Sequence, residues 1–136
     1  MLLPIPLADV RRRSIEHHMA FHMLSAGEGD ALIVARLLNS VCSAYLVDVM
    51  IEARSSMEMF QLAEATLHEC AARGEAEGQF QGSTQGLIAI QQVLTLHDKQ
   101  LLDVPAWVLA EAQTRLARLL DRDGLSPIVP GPTLST

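Results

Sequence analysis

With 136 residues the chain makes one domain, long enough to bury roughly two thirds of its unfolded surface. Hydrophobic residues make up 49% but aromatics only 4%, so the core must be built from Leu, Ala, Val, Ile and Met, a set that favours helices over sheets. The formal charge of −6 is concentrated in residues 37–86, where two Arg face seven acids, and that bias runs against a protein made to grip a nucleic-acid backbone.

After Pro4 and Pro6 the pattern predicts a first helix over residues 8–25, stopped at a turn where Gly27 and Gly29 flank Glu28. Asp30 is placed to cap a second helix that reaches Glu52 or Arg54. In this stretch apolar side chains point in nearly every direction. Only a thin polar seam remains, at Arg36, Asn39, Ser40, Ser43 and Asp48. A helix apolar almost all round must be covered on several sides, so it is expected at the centre of an all-α domain.

Ser55 and Glu58 have capping-box spacing, which separates a third helix over residues 56–73. Its apolar stripe is Phe60, Ala63, Leu67 and Cys70, with Glu58, Glu64 and Glu69 expected on the surface. Residues 74–86 hold four glycines and read as a connector; the segment has no Gly-Lys-Ser/Thr ending and no basic residue, so it is not a phosphate loop. A fourth helix runs from Ser83 or Thr84 to Leu102 with Leu87, Ile90, Leu94, His97 and Leu101 on one face. The break at Asp103, Val104 and Pro105 then starts a fifth helix that ends at Arg122, before Gly124.

The resulting expectation is a single helical domain over 1–124, a bundle of about five helices closed by an antiparallel C-terminal helical hairpin. Residues 125–136, with Pro127, Pro130 and Pro132, form an extended, flexible tail.

Few residues carry chemistry, and His17, His18 and His22 are the nearest thing to a site. His18 and His22 lie four apart, on one face of a helix, a spacing two metal ligands can use; His97 with Asp98, or Glu64 with His68, could be recruited from other helices. Arg11, Arg12 and Arg13 form one basic cluster, and Arg115, Arg118 and Arg122 form a stripe at steps of three and four. Either could meet phosphates or an acidic partner. No Gly-x-Ser-x-Gly elbow occurs, and His68 and Cys70 point about 200° apart on a helix, so the chain is not expected to be an enzyme.

Cys42 and Cys70 fall within apolar patterns and suit a reducing compartment. The apolar start is Pro-broken and precedes its Arg cluster, unlike a secretory signal. The longest central uncharged run, 37–47, is well short of the ~20 residues of a membrane span. A soluble cytoplasmic protein is expected, without a membrane or a nucleic-acid partner.

The run Leu96, His97, Asp98, Lys99, Gln100 and Leu101, followed by Val104 and Pro105 and then Ala112, Arg115 and Leu116, resembles a set of short, uncharacterised helical bacterial proteins, many encoded near mobile elements. Some carry the label of Fis-type transcriptional regulator. A Fis-type reader presents basic and polar side chains to a DNA groove, whereas Trp107 to Glu111 is apolar and acidic. The resemblance implies a bacterial accessory protein and carries over no functional residue.

The expected function is therefore non-catalytic and cofactor-free, through protein–protein interaction. Positive mean hydropathy (+0.22) and the surplus of Met and aromatic side chains point to self-association as a homodimer. One alternative is a DNA-associated regulator using Arg11, Arg12 and Arg13 with the Arg115, Arg118 and Arg122 stripe. The other is a helical-bundle metal or small-molecule binder centred on His18 and His22.

Overall fold

The computed structural model describes residues 3–122 and 126–128. Five helices, and no strands, occur among them: α1 (Leu7–Ser25), α2 (Ala31–Met50), α3 (Met57–Glu77), α4 (Thr84–Asp103) and α5 (Ala106–Arg122). The chain is an all-α bundle. Its centre is α2, which packs against all four other helices and buries Val34, Leu37, Val41, Ala44 and Val47. The all-round apolar character of that helix is thus met by cover on several sides.

Local chemistry sets the boundaries. The Asp30 carboxylate accepts from the N–H of Ile33 at 2.9 Å and starts α2. The helix ends at Met50, short of the expected Glu52 or Arg54, because both of those residues take left-handed backbone (φ 54° and 56°). Asp48, buried, holds that turn by accepting from the N–H of Ser55 at 3.1 Å. Ser56, one residue beyond the expected cap, accepts from the N–H of Met59 and opens α3.

Two expectations about α3 need correction. The helix passes through Gly74 and stops at Gly78, whose φ of 77° suits glycine. Gly74 is buried inside the helix because the Phe80 ring occupies the space of a side chain: a Cβ there would lie 2.0 Å from that ring. Glu64, expected at the surface, is buried, since it lies one turn from Phe60 and shares the inward side of the stripe. One of its carboxylate oxygens has no hydrogen-bond partner.

Ser83 caps α4 by accepting from the N–H of Gly86. The chain breaks after Asp103, with Val104 extended, and α5 follows at once. Its principal partner is α2, so the close α4–α5 pairing of a hairpin does not form, although the link is short. Val108, Leu109, Ala112 and Leu116 are buried, whereas Leu120 is exposed. The reason lies in α2, whose remaining apolar side needs a cover that α5 supplies.

Part of the expected tail is anchored. Ile128 is buried, and the Ser126 hydroxyl lies 3.7 Å from the Cys42 sulfur. The rest of 125–136, and the helix stop at Gly124, lie outside the described residues.

By length and composition alone, α2 is apolar enough to cross a membrane, and half of the qualifying stretch is buried inside the bundle. The uncharged run 37–47 understated this, because Arg36 and Asp48 are single charges diluted over a 20-residue helix.

Candidate functional site

The inward face of α1 is set by Val10, His17, Ala20 and Leu24, all buried at heptad-like steps. A histidine therefore occupies a core position on this helix. Across from it, α4 places Asp98 so that its two oxygens receive two rings. Nε2 of His17 lies 2.8 Å from Oδ1, and Nε2 of His18 lies 2.7 Å from Oδ2. The two imidazoles meet edge to face, with centroids 4.7 Å apart. One residue before Asp98, the buried His97 places its ring 5.8 Å from that of His17, and its Nδ1 lies 2.8 Å from Oε1 of Gln100. Gln100 in turn donates to the carbonyl of Ala44 at 3.0 Å, tying α4 to α2.

Burial favours the neutral form of the two inner histidines, His17 and His97. Desolvation lowers the His97 pKa to about 4, against the partly offsetting hydrogen bond to Gln100, so this ring is neutral at pH 7. His17 is also lowered by burial, despite the hydrogen bond and charge of Asp98. Burial pushes Asp98 up, but hydrogen bonds from His18, Ser14 and His17 outweigh it and hold the carboxyl below its usual range. A carboxylate thus sits among histidines whose deepest members resist protonation.

His17 and His97 also line a cleft of about 550 Å³ whose other walls are Arg12, Arg13, Glu16, Arg36, Asn39, Ser40 and Gln113. Four of the five seam residues of α2 have a place at this junction. Arg36, Asn39 and Ser40 line the cleft, and Ser43 with Asn39 accepts from the amide of Gln113 on α5. Arg12 is engaged with Asp9 and Glu16, each at 3.5 Å. Arg13 and Arg36 form no ion pair among the described residues. The cleft is therefore cationic in a chain whose net charge is −6.

The sequence-predicted residues separate accordingly. His18 joins His17 and Asp98, while His22 stays exposed and outside that cluster. Asp98, expected only as a recruit, is its centre. Arg11 is exposed, and Arg12 and Arg13 line the cleft. The α5 stripe lies elsewhere. From Gln113, which faces the cleft, Arg115 and Arg118 are turned by about 200° and about 140° around the helix. Arg115 pairs with Glu111 at 3.0 Å, Arg118 is exposed, and the side chain of Arg122 lies outside the described residues.

Sequence reasoning passed over His17 as a ligand in favour of the His18 and His22 pair, and missed Arg36 as a functional group. The signal for His17 was its place in the stripe with Val10 and Leu24; the signal for Arg36 was its place in the polar seam. The thiols are not activated: burial pushes Cys42 up to about 11 and raises Cys70 as well. No family model, no curated protein and no solved structure matches this chain.

Proposed function

We propose that this chain is a non-catalytic binding protein whose cleft between α1, α2, α4 and α5 takes up a small anionic compound bearing a carboxylate or phosphate group. The observation that carries the reading is the pair Arg13 and Arg36, facing one cleft with no carboxylate partner among the described residues. Asn39, Ser40 and Gln113 add neutral hydrogen-bonding groups, and the volume lies within the range of ordinary small-molecule sites. The separation of the α5 stripe from the cleft supports a compact ligand over an extended polyanion, which would need both basic sets on one surface. The free, buried cysteines suit an accessory role in a reducing cytoplasm.

Calorimetric titration of the full chain with citrate and with inorganic pyrophosphate tests this. Saturable one-to-one binding of at least one probe is expected, with Kd ~10⁻³ M or tighter. It should weaken about tenfold or more in Arg13→Ala and Arg36→Ala, and should persist in Arg118→Ala. Absence of saturable binding, or equal losses in all three variants, defeats the reading.

A second reading, self-association as a twofold dimer, is favoured by α1 itself. Ile15 and Met19, one turn apart, are 58% and 60% exposed. Trp107 and Met57 are exposed too, whereas Phe60 is fully buried and Phe21, Met23 and Met59 pack partly against the core. Light scattering over a dilution series should give a dimer mass at tens of micromolar, reduced in Met19→Glu. A clean monomer mass throughout would remove self-association and leave the cleft reading untouched.

A further inference from the structure

We infer that His17, His18 and Asp98 form a binding site for one divalent transition-metal ion, with zinc the best match to the donor set. The inference stands on atoms other than the arginines of the cleft, so either can fail alone. One ring nitrogen of each histidine and a carboxylate oxygen lie within 4.8 Å of one another. Around a tetrahedral zinc with bonds of ~2.0–2.1 Å, ligand atoms sit roughly 3.3 Å apart. The observed N···O separations of 2.8 and 2.7 Å, each to a different oxygen of Asp98, are shorter than that, so these contacts would open as an ion entered.

The way the donors converge is informative. Consecutive residues on a helix diverge by about 100°, yet His17 and His18 both turn Nε2 onto the same carboxylate. Donors come from two helices, and the cluster spans α1 and α4 as bundle metal sites do. Imidazole nitrogen with carboxylate oxygen suits zinc and its first-row neighbours. Three protein ligands leave a coordination position for water. His18 and Asp98, 36% and 29% exposed, give that position a route to solvent, while the buried His17 fixes the inner side.

Ser14 hydrogen-bonds Asp98 and would hold the carboxylate in its orientation. The proton balance is simple. A ring whose Nε2 gives its lone pair to the ion keeps a single proton, at Nδ1, and a hydrogen on Nε2 moves there or leaves to solvent as the ion enters. His22, exposed one turn beyond His18, offers no donor to this cluster and serves as an internal control.

The test uses the full, untagged chain, stripped with a chelator and dialysed. Zinc uptake is followed by calorimetry, and cobalt(II) uptake by its visible absorption. One ion per chain is expected, with cobalt giving the visible bands of a low-symmetry, four- or five-coordinate site. Affinity should fall about tenfold or more in His18→Ala and in Asp98→Asn and be unchanged in His22→Ala and Arg36→Ala. Circular dichroism and a thermal melt establish that each variant is folded. If His18→Ala is not, His18→Gln, which removes the imidazole but can still hydrogen-bond Asp98, replaces it. Failure of the unmodified chain to take up one ion overturns the inference. So does uptake unaltered by loss of the His18 ring, or uptake abolished in His22→Ala.

Discussion

The two halves of α4 solve the problem of burial in opposite ways. Its first half meets α3 through close contact. Gly86 lies so near Thr66 that a Cβ would come within 2.0 Å of Oγ1, and Ala89, Ile90 and Val93 behind it are buried without a polar partner to satisfy. Its second half buries His97 and Gln100 and half-buries Asp98, each tied by hydrogen bonds to α1, α2 or its own helix. Dispersion and desolvation of apolar surface hold the first half. The second adds to buried Leu94 and Leu101 a set of polar groups that gain little net energy when paired and cost heavily when left alone. Its polar groups lie beside the cleft proposed to take a ligand, and they make that region sensitive to acid.

The largest effect should come from the dry half. Ile90→Ala removes a fully buried side chain in a region that cannot collapse freely, and is expected to cost about 2–5 kcal/mol. Urea denaturation should give the same loss at pH 7 and pH 5. A loss that changes strongly with pH would mean the two halves are energetically one.

The wet half should answer to pH instead. In the unfolded chain His97 titrates near 6.5, and in the fold at about 4. Between those values the unfolded chain binds a proton that the folded chain refuses. The stabilisation is therefore complete above pH 6.5 and is lost as pH falls towards 4. It amounts to about 3 kcal/mol. His17, lowered for the same reason, adds to the loss in the same direction. Asp98, held below its usual range, gives up its contribution only as pH falls through its folded value. Denaturation curves at stepped pH should show this decline, and His97→Gln, which cannot titrate, should flatten much of it. An unaltered pH profile in that variant would place the acid sensitivity elsewhere.

How far these features were legible in the sequence follows the same division. Apolar periodicity marked the dry contacts. The stripe Phe60, Ala63, Leu67 and Cys70 is buried throughout, and so are Ile90, Leu94 and Leu101. Periodicity reports which side of a helix is inward but not which helix will cover it, so α5 could be outlined without its preference for α2. It also treats glycine as a break, which hid the continuation of α3 through Gly74 beneath the Phe80 ring.

The polar site was half visible. Arg36, Asn39, Ser40 and Ser43 stood out as polar residues on an otherwise apolar helix, and that seam became cleft wall and hydrogen-bonding partner. The histidines misled because two rings four apart look paired on a helix, whereas the actual pairing runs through Asp98, 80 residues from His18 along the chain. Only tertiary packing brings those groups together.

The smallest expected effect compares two polar contacts of nearly equal length, one to a buried histidine and one between exposed charges. His17 and Asp98 approach to 2.8 Å, with side-chain exposures of 6% and 29%. Glu111 and Arg115 approach to 3.0 Å, with exposures of 38% and 49%. If distance governed their worth, the two would contribute alike. Water around the exposed pair screens its attraction and solvates either partner when the other is removed, and ordering two long side chains costs entropy. Arg115→Ala should therefore shift stability by no more than about 0.5 kcal/mol, and that small shift should shrink further in high salt. Loss of the buried partner leaves a half-buried carboxylate without one of its hydrogen bonds, so His17→Ala should destabilise by more than Arg115→Ala in the same denaturant series. Equal losses would show that the polar half of α4 is solvated well enough to behave as surface, and the contrast between its two halves would then rest on the apolar contacts alone.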